Sequence, residues 1–216
     1  MIKELPLHLK QSLPPSYFRR YDERADSAFY LYPRFTAHID DRASAAASQL
    51  FRELLPPGGR VLDLMSSFVS HLPPEVAYRQ VVGLGLNEQE LANNAQLDQW
   101  LIHDLNANPQ LPFEPMSFDA ALCTVSVQYL TQPLEVFAEV GRVLRPGAPF
   151  IVSFSNRCFP SKAVRVWVST NDKQHATLVR RYFELSEQFE RTTFYDRSPC
   201  RWLSDPLFAL VGWARA

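Results

Sequence analysis

The chain has 216 residues and a formal net charge of −1, because 22 Lys and Arg stand against 23 Asp and Glu. This length suits one large domain, or one domain with a short appendage. With 46% hydrophobic and 21% charged residues, the composition excludes disorder, collagen and coiled coil as the main architecture. No apolar run reaches the ~18 residues of a membrane helix, and no secretory signal is visible. The near-zero net charge argues against wholesale nucleic-acid binding.

Glycine, cysteine and histidine usage narrows the function classes further. Only seven residues are glycine and none lies between 60 and 82, so the phosphate-binding and dinucleotide-binding glycine loops are both absent. The three cysteines are widely spaced and odd in number, which suits a reducing compartment better than a disulfide framework. No cysteine or histidine pair has metal-ligand spacing. We therefore expect a cytoplasmic protein without a metal site and without a membrane or nucleic-acid partner.

The predicted elements begin with an irregular arm. Residues 1–39 are rich in Pro, Tyr and Arg and show no sustained periodicity. Over residues 40–55 the apolar positions recur at i, i+3, i+4, i+7, i+8 and i+11, which predicts an amphipathic helix. Asp40 or Asp41 can cap this helix, and the Pro-Pro-Gly-Gly run after residue 55 ends it.

From residue 60 onward, short aliphatic runs alternate with helical segments. The predicted strands cover 60–65, 81–86, 99–105, 118–125 and 149–155, and residues 133–147 form a helix between the last two. Several runs are continuously apolar, as in parallel strands that are covered on both faces. The alternation predicts right-handed crossovers and a doubly wound α/β sheet.

The last third of the chain has a different pattern. Residues 171–188 predict a helix, because apolar residues recur at i, i+4, i+7 and i+11 from Leu178. Two strand-like runs follow, 189–196 and 206–216, without a helix-length segment between them. The sheet is therefore expected to end in an antiparallel pair.

Four stretches carry a resemblance to a known family: VLDL (61–64), VVGLGLNEQEL (81–91), LPFEPMSFDAALCTVSVQYL (111–130) and LEVFAEVGRVLRPGAPFIVSFSN (134–156). Together they resemble the class I S-adenosylmethionine-dependent methyltransferases of the small-molecule type, over roughly residues 40–216. The resemblance implies a Rossmann-like, mostly parallel seven-stranded sheet with the last strand antiparallel. It also implies S-adenosylmethionine as the cofactor, methyl transfer to an unidentified small molecule, and an arm (1–39) that covers the active site of the domain 40–216.

The first family motif is altered here. The family follows its first strand with an acid and a G-x-G-x-G turn that approaches the methionine part of the cofactor. Asp63 matches the acid, but Met65, Ser67 and Val69 stand at the glycine places. We expect the hydroxyls of Ser66 and Ser67 either to bond the cofactor directly or to cap a following helical turn.

The second motif lacks its acid. The family residue that accepts hydrogen bonds from both ribose hydroxyls corresponds to Gly85, and Asn87 offers only an amide oxygen nearby. If the missing carboxylate weakens an otherwise usual site, Gly85→Asp should tighten cofactor binding, provided that the backbone there is not at positive φ.

The third motif is retained. Asp104 matches the acid that contacts the adenine amino group, and Leu105 matches the residue against the adenine ring. The full set of cofactor-binding positions that the resemblance implies is Asp63, Met65, Ser66, Ser67, Gly85, Leu86, Asn87, Asp104, Leu105, Thr124, Val125 and Ser126.

Methyl transfer from a sulfonium needs alignment and, for a protonated nucleophile, a general base. The candidate bases are His38, His71 and Tyr129, whereas His103 is expected to be a core or face residue of its strand. Two alternatives stay open: a non-catalytic module that keeps the fold for binding or regulation, and an enzyme that uses another nucleotide. An open cleft beside residues 65–71 favours the enzyme, whereas a side chain that fills the methionine site favours the module.

Overall fold

A single seven-stranded sheet organises the computed structural model, which describes residues 13–200 and 202–216. The strands are β1 (Arg60–Leu64), β2 (Gln80–Gly85), β3 (Gln99–Ile102), β4 (Ala120–Thr124), β5 (Pro149–Phe154), β6 (Phe189–Asp196) and β7 (Phe208–Ala214). Their order is β3-β2-β1-β4-β5-β7-β6. The first five strands are parallel, and β7 runs antiparallel to both β5 and β6. The predicted doubly wound α/β sheet with a reversed last strand is confirmed.

Helices flank the sheet. They are α1 (Asp26–Phe29), α2 (Asp41–Leu54), α3 (Glu88–Ala92), α4 (Pro133–Val143), α5 (Arg165–Val168) and α6 (Asp172–Ser186). The predicted cap of α2 forms, because the Asp40 side chain accepts a hydrogen bond from Ala43 N. At α6, Asn171 closes a capping box with Gln174. Among the described residues, no helix combines the length and the apolar character that crossing a bilayer requires.

The core divides into two layers, one on each face of the sheet. Successive residues of the same strand enter different layers, as the two-residue period of a strand requires. In β5, Phe150 belongs to the layer under α4 and α6, whereas the next residue, Ile151, belongs to the layer under α2. This double burial explains why the central strands read as continuous apolar runs.

Two expectations about the first half of the sheet are wrong. The third strand covers only 99–102 rather than 99–105, and it is an edge strand whose Trp100 is 40% exposed. Its apolar run therefore does not reflect burial on both faces. In addition, the crossovers at 65–79 and 103–119 contain no α-helix, although the structure describes every residue of both. Prolines punctuate each crossover and remove backbone donors that a helix needs.

The described part of the arm, residues 13–39, packs on the domain through a buried charge cluster; residues 1–12 of the predicted arm lie outside the described residues. Arg20 binds both carboxylate oxygens of Asp26 at 2.8 Å, and the fully buried Lys162 Nζ lies 3.0 Å from Asp26 Oδ1. Asn106 Nδ2 donates to Asp26 Oδ2 at 2.8 Å. Burial alone would raise the pKa of Asp26, but the bonds from Arg20, Asn106 and Lys162 outweigh it and hold the pKa below its ordinary value. The cluster joins the arm to the loops after β3 and β5.

Candidate active site

One cleft opens at the C-terminal ends of β1, β2 and β4. The space between its walls, together with the open solvent at its mouth, is about 1020 Å3. The strand order changes direction between β1 and β4, and doubly wound sheets bind ligands at such a switch point. All twelve cofactor-binding positions predicted from the sequence line this cleft, together with His38, His71 and Tyr129. The turn of residues 65–71, which follows β1 and is called the β1 turn, therefore borders open space.

Asp63 anchors a hydrogen-bond network at the end of β1. Its Oδ2 accepts from Ser66 Oγ and Ser70 Oγ, both at 2.6 Å, and Ser70 Oγ accepts from Asn94 Nδ2 at 2.9 Å. Burial raises the pKa of Asp63 to about 6, and the two serine hydroxyls offset only part of that effect. Asp63 Oδ1 has no hydrogen-bond partner in the described parts of the chain, so it can accept a donor from a ligand.

Three residues around the cleft have left-handed backbone conformations. Met65 has φ 53°, His71 φ 56° and the β-branched Val125 φ 44°. A non-glycine residue in this region costs on the order of 1–3 kcal/mol and is held by its surroundings; for example, Gln128 Nε2 donates to the Val125 carbonyl at 2.8 Å. Because Met65 takes the first glycine place, the turn keeps a glycine-like backbone at that point. Such strain is concentrated at functional sites.

Gly85, the last residue of β2, lies directly against the β1 turn. A Cβ at this position would be 2.3 Å from the Ser66 carbonyl oxygen and 3.1 Å from Leu91 Cδ2. Its φ is not positive, so lack of space, rather than backbone conformation, excludes a side chain. The structure therefore offers no space for the ribose acceptor that Gly85→Asp would introduce.

The amide of Asn87 is engaged by the protein itself. Its Oδ1 caps α3 by accepting from Glu90 N at 3.1 Å. Its Nδ2 donates to the carbonyls of Tyr30 at 2.9 Å and Leu31 at 3.3 Å. Asn87 thus joins the arm to α3 rather than holding its amide oxygen out to a ligand.

Glu90 is one of the cleft residues that sequence reasoning missed. It is 5% exposed, and its Oε1 accepts from the backbone N of Arg34 at 2.7 Å. Its Oε2 accepts from Ser67 Oγ at 2.5 Å. The Asn-x-x-Glu spacing of residues 87–90 marks a helix start, and this signal could have placed the carboxylate beside the end of β2.

Of the two roles expected for the serines of the β1 turn, capping a helical turn is wrong, whereas bonding the cofactor stays a prediction. Ser66 Oγ donates to Asp63 and Ser67 Oγ donates to Glu90. No helix follows for them to cap, since residues 65–79 are irregular. Their hydroxyls position carboxylates instead.

Asp104 lies two residues beyond β3. Its Oδ1 accepts from the backbone N of Asn106 at 2.9 Å and of Ala107 at 3.3 Å, which fixes the loop. Its Oδ2 has no hydrogen-bond partner among the residues that the structure describes. On β4, the buried Thr124 Oγ1 is likewise without a partner. Both oxygens are available to a ligand.

His38 from the arm and His71 from the β1 turn border the same cleft. Burial lowers the pKa of both, to about 4 for His71, so both rings are neutral at pH 7. Within the described chain, neither ring has a hydrogen-bond partner. Tyr129 differs, because its hydroxyl oxygen accepts from Phe159 N at 2.9 Å and burial raises its pKa to about 12. Tyr129 therefore remains protonated at neutral pH and lines the cleft.

Comparison with known proteins agrees with this geometry. Residues 65–152 match the sequence profile of a family described as "Methyltransferase domain". Over 107 residues, 49% of this chain, the sequence is 31% identical to the biotin biosynthesis bifunctional protein BioHC of Teredinibacter turnerae. Over these stretches the chain is therefore similar to methyltransferases. It spans only 16% of the length of that BioHC protein.

Solved structures share the methyltransferase fold. An S-adenosylmethionine-dependent methyltransferase from Mesorhizobium loti aligns with TM-score 0.56 and 22% identity, covering 81% of this chain and 100% of that one. A Haloferax volcanii methyltransferase in complex with the Trm112 activator aligns with TM-score 0.62 and 16% identity, covering 82% and 92%. The [4+2]-cyclase SpnF aligns with TM-score 0.59 and 15% identity, covering 79% and 81%. At these identities the likeness concerns the fold.

The donor and acceptor groups of the cleft fit S-adenosylmethionine, the cofactor of this methyltransferase family. Asp63, Glu90 and Asp104 all border it, and none of the three forms an ion pair within the described residues. Their oxygens suit the amino and hydroxyl donors of adenosine, and their charge suits the cationic sulfonium and ammonium groups. The Gly85 backbone, bare of a side chain, lets the β1 turn and β2 approach closely at the same edge.

Proposed function

We propose that this protein transfers the methyl group of S-adenosylmethionine to a small molecule that enters the cleft. The observation that carries the proposal is the open cleft beside the β1 turn, with the unpaired oxygens of Asp63, Asp104 and Thr124 on its wall. In a non-catalytic module that no longer binds the cofactor, side chains would be free to fill this space. When bound, the cofactor supplies a methyl group that is already activated by its sulfonium.

The chain's own residues then align the reactants and move a proton. Asp104 would accept a hydrogen bond from the adenine amino group, and Asp63 would accept one from the ammonium group at the methionine end of the cofactor. His38 is the general base, because its ring is neutral at pH 7, borders the cleft and has no hydrogen-bond partner in the described chain. His71, with its pKa of about 4, is too weak a base for this step. It lines the cleft and offers hydrogen bonds to the bound molecules.

Transfer of labelled methyl groups tests the proposal. The protein is incubated with methyl-labelled S-adenosylmethionine and a small-molecule fraction of cell extract, and label is followed into small-molecule products. We expect transfer by the wild type and a loss of about a hundredfold in His38→Gln, the scale of general-base catalysis. His103→Gln is the matched control: His103 borders the same cleft, but its Nε2 is already 2.9 Å from the Asn108 carbonyl oxygen. Cofactor binding without transfer to any fraction would instead favour the non-catalytic module.

A further inference from the structure

An unpaired carboxylate lies in the cleft where β2 ends. Glu90 is 5% exposed and borders the cleft, and in the described residues no lysine or arginine forms an ion pair with it. A charge this buried is costly unless hydrogen bonds satisfy it. Glu90 thus requires donors, and the described residues supply only two.

Counting acceptor sites shows what remains for a ligand. Each carboxylate oxygen can accept two hydrogen bonds. The backbone N of Arg34 occupies one site on Oε1 at 2.7 Å, and Ser67 Oγ occupies one site on Oε2 at 2.5 Å. One acceptor site on each oxygen is left, so the carboxylate can receive two neighbouring donors from a molecule in the cleft.

The two donors from the protein also hold the carboxylate in place. Arg34 belongs to the arm and Ser67 to the β1 turn, so Glu90 is tied from two sides. Its helix is in turn capped by Asn87. A pre-positioned carboxylate loses little side-chain entropy when a ligand binds.

Other residues at the end of β2 cannot take this role. Gly85 has no room for a side chain beside the Ser66 carbonyl. Asn87 Oδ1 already accepts from Glu90 N and keeps at most one acceptor site, whereas two neighbouring donors need two. We infer that Glu90 accepts hydrogen bonds from the two ribose hydroxyls of the cofactor, with Ser67 and the Arg34 backbone as positioning groups. This inference rests on the proposed binding of S-adenosylmethionine in the cleft.

Calorimetric titration with S-adenosylhomocysteine and its 2′-deoxy and 3′-deoxy forms tests the inference without any turnover. The demethylated product lacks the sulfonium charge, so its affinity reports on the ribose rather than on general attraction to a cation. In the wild type we expect each deoxy form to bind roughly tenfold or more weakly, the scale of a hydrogen bond to a charged group. In Glu90→Gln the parent ligand should weaken by a similar factor, and the discrimination against the deoxy forms should fall below about threefold.

A neighbour on the same helix provides the control. Glu88 is exposed, and Glu88→Gln should leave both affinity and discrimination unchanged. If Glu90→Gln does not fold, Glu90→Asp is the second variant. It keeps the charge on a side chain that is one methylene shorter, and it should still lose the discrimination against the deoxy forms. Equal binding of ribose and deoxy forms by the wild type would overturn the inference, and so would undiminished discrimination in a folded Glu90 variant. Failure of the wild type to bind S-adenosylhomocysteine at all would instead refute the proposed function.

Discussion

The ends of β2 and β3 lie side by side at one edge of the sheet, yet they present their acids in different ways. Asp104 lies two residues beyond β3, and one of its carboxylate oxygens has no hydrogen-bond partner among the described residues. At the end of β2 the carboxylate comes from Glu90, on the helix beyond the strand, because the Ser66 carbonyl fills the space beside Gly85. The difference teaches that a binding site can keep its chemistry while a functional group moves to a neighbouring element.

The largest expected effect concerns the crowded end of β2. Gly85→Asp should destabilise the fold by roughly 3 kcal/mol or more, because a new Cβ would collide with backbone rather than with a movable side chain. Urea denaturation measures this loss, and Gly85→Ala should show most of it, since the Cβ alone causes the collision. A stable Gly85→Asp protein with tighter cofactor binding would break the comparison, because the acid would then fit on the strand.

A second prediction uses the pH dependence of Asp63. Its folded-state pKa of about 6 lies above the ordinary 3.8, so between these values the folded protein holds a proton that the unfolded chain has released. The contribution of Asp63 to stability is therefore fully present below about pH 4 and is lost as the pH rises to about 6. Asp63→Asn lacks this loss, so its stability relative to the wild type should improve by about 3 kcal/mol between pH 4 and pH 7.

Urea denaturation at several pH values checks the Asp63 prediction. Glu88→Gln, at an exposed position, should show a stability difference from the wild type that stays flat over the same range. A flat difference for Asp63→Asn as well would mean that the Asp63 carboxyl is not held in a desolvated environment.

The next prediction concerns the acid that follows β3. Asp104→Ala should weaken cofactor binding by roughly 1.5–3 kcal/mol, the scale of a hydrogen bond to a charged group. Asp104→Asn sharpens the result, because its remaining oxygen can still accept from the backbone of Asn106 and keep the loop. An unchanged affinity in both folded variants would remove Asp104 from the adenine site.

The smallest expected effect concerns Ser67, whose hydroxyl joins the β1 turn to Glu90 on α3. Ser67→Gly should lower cofactor affinity about fivefold, or ~1 kcal/mol, because the hydroxyl no longer holds Glu90. The same change in a Glu90→Gln background should have little further effect, since coupled residues are not additive. Additive losses in this double-mutant cycle would show that Ser67 acts independently of Glu90.

The sheet was predictable because its signals are local. The continuous apolar runs of β1, β4 and β5 and the helical period of α4 each lie within a short window of sequence, and the structure confirms them. The edge position of β3 was not predictable, because exposed Trp100 and Ile102 look like core residues in sequence. Burial depends on which strand is placed at the edge, and no local pattern specifies that.

The site was predictable in position but not in its contacts. The sequence places Asp63, Gly85 and Asp104 at or near the C-terminal ends of strands that meet at one edge, and all three line the cleft. The bond between Glu90 and the backbone of Arg34 joins residues 56 positions apart, so it depends on the path of the arm. The collision at Gly85 likewise depends on the β1 turn, which brings the Ser66 carbonyl to β2.

Calorimetric titration of the wild-type chain with S-adenosylmethionine tests the central claim most directly. We expect one molecule to bind per chain, to be displaced by S-adenosylhomocysteine, and to bind more weakly to Asp104→Ala. Affinity should also fall as the pH drops through about 6, because protonation removes the Asp63 charge that meets the ligand's ammonium group. A folded wild-type protein that binds neither molecule would contradict the account.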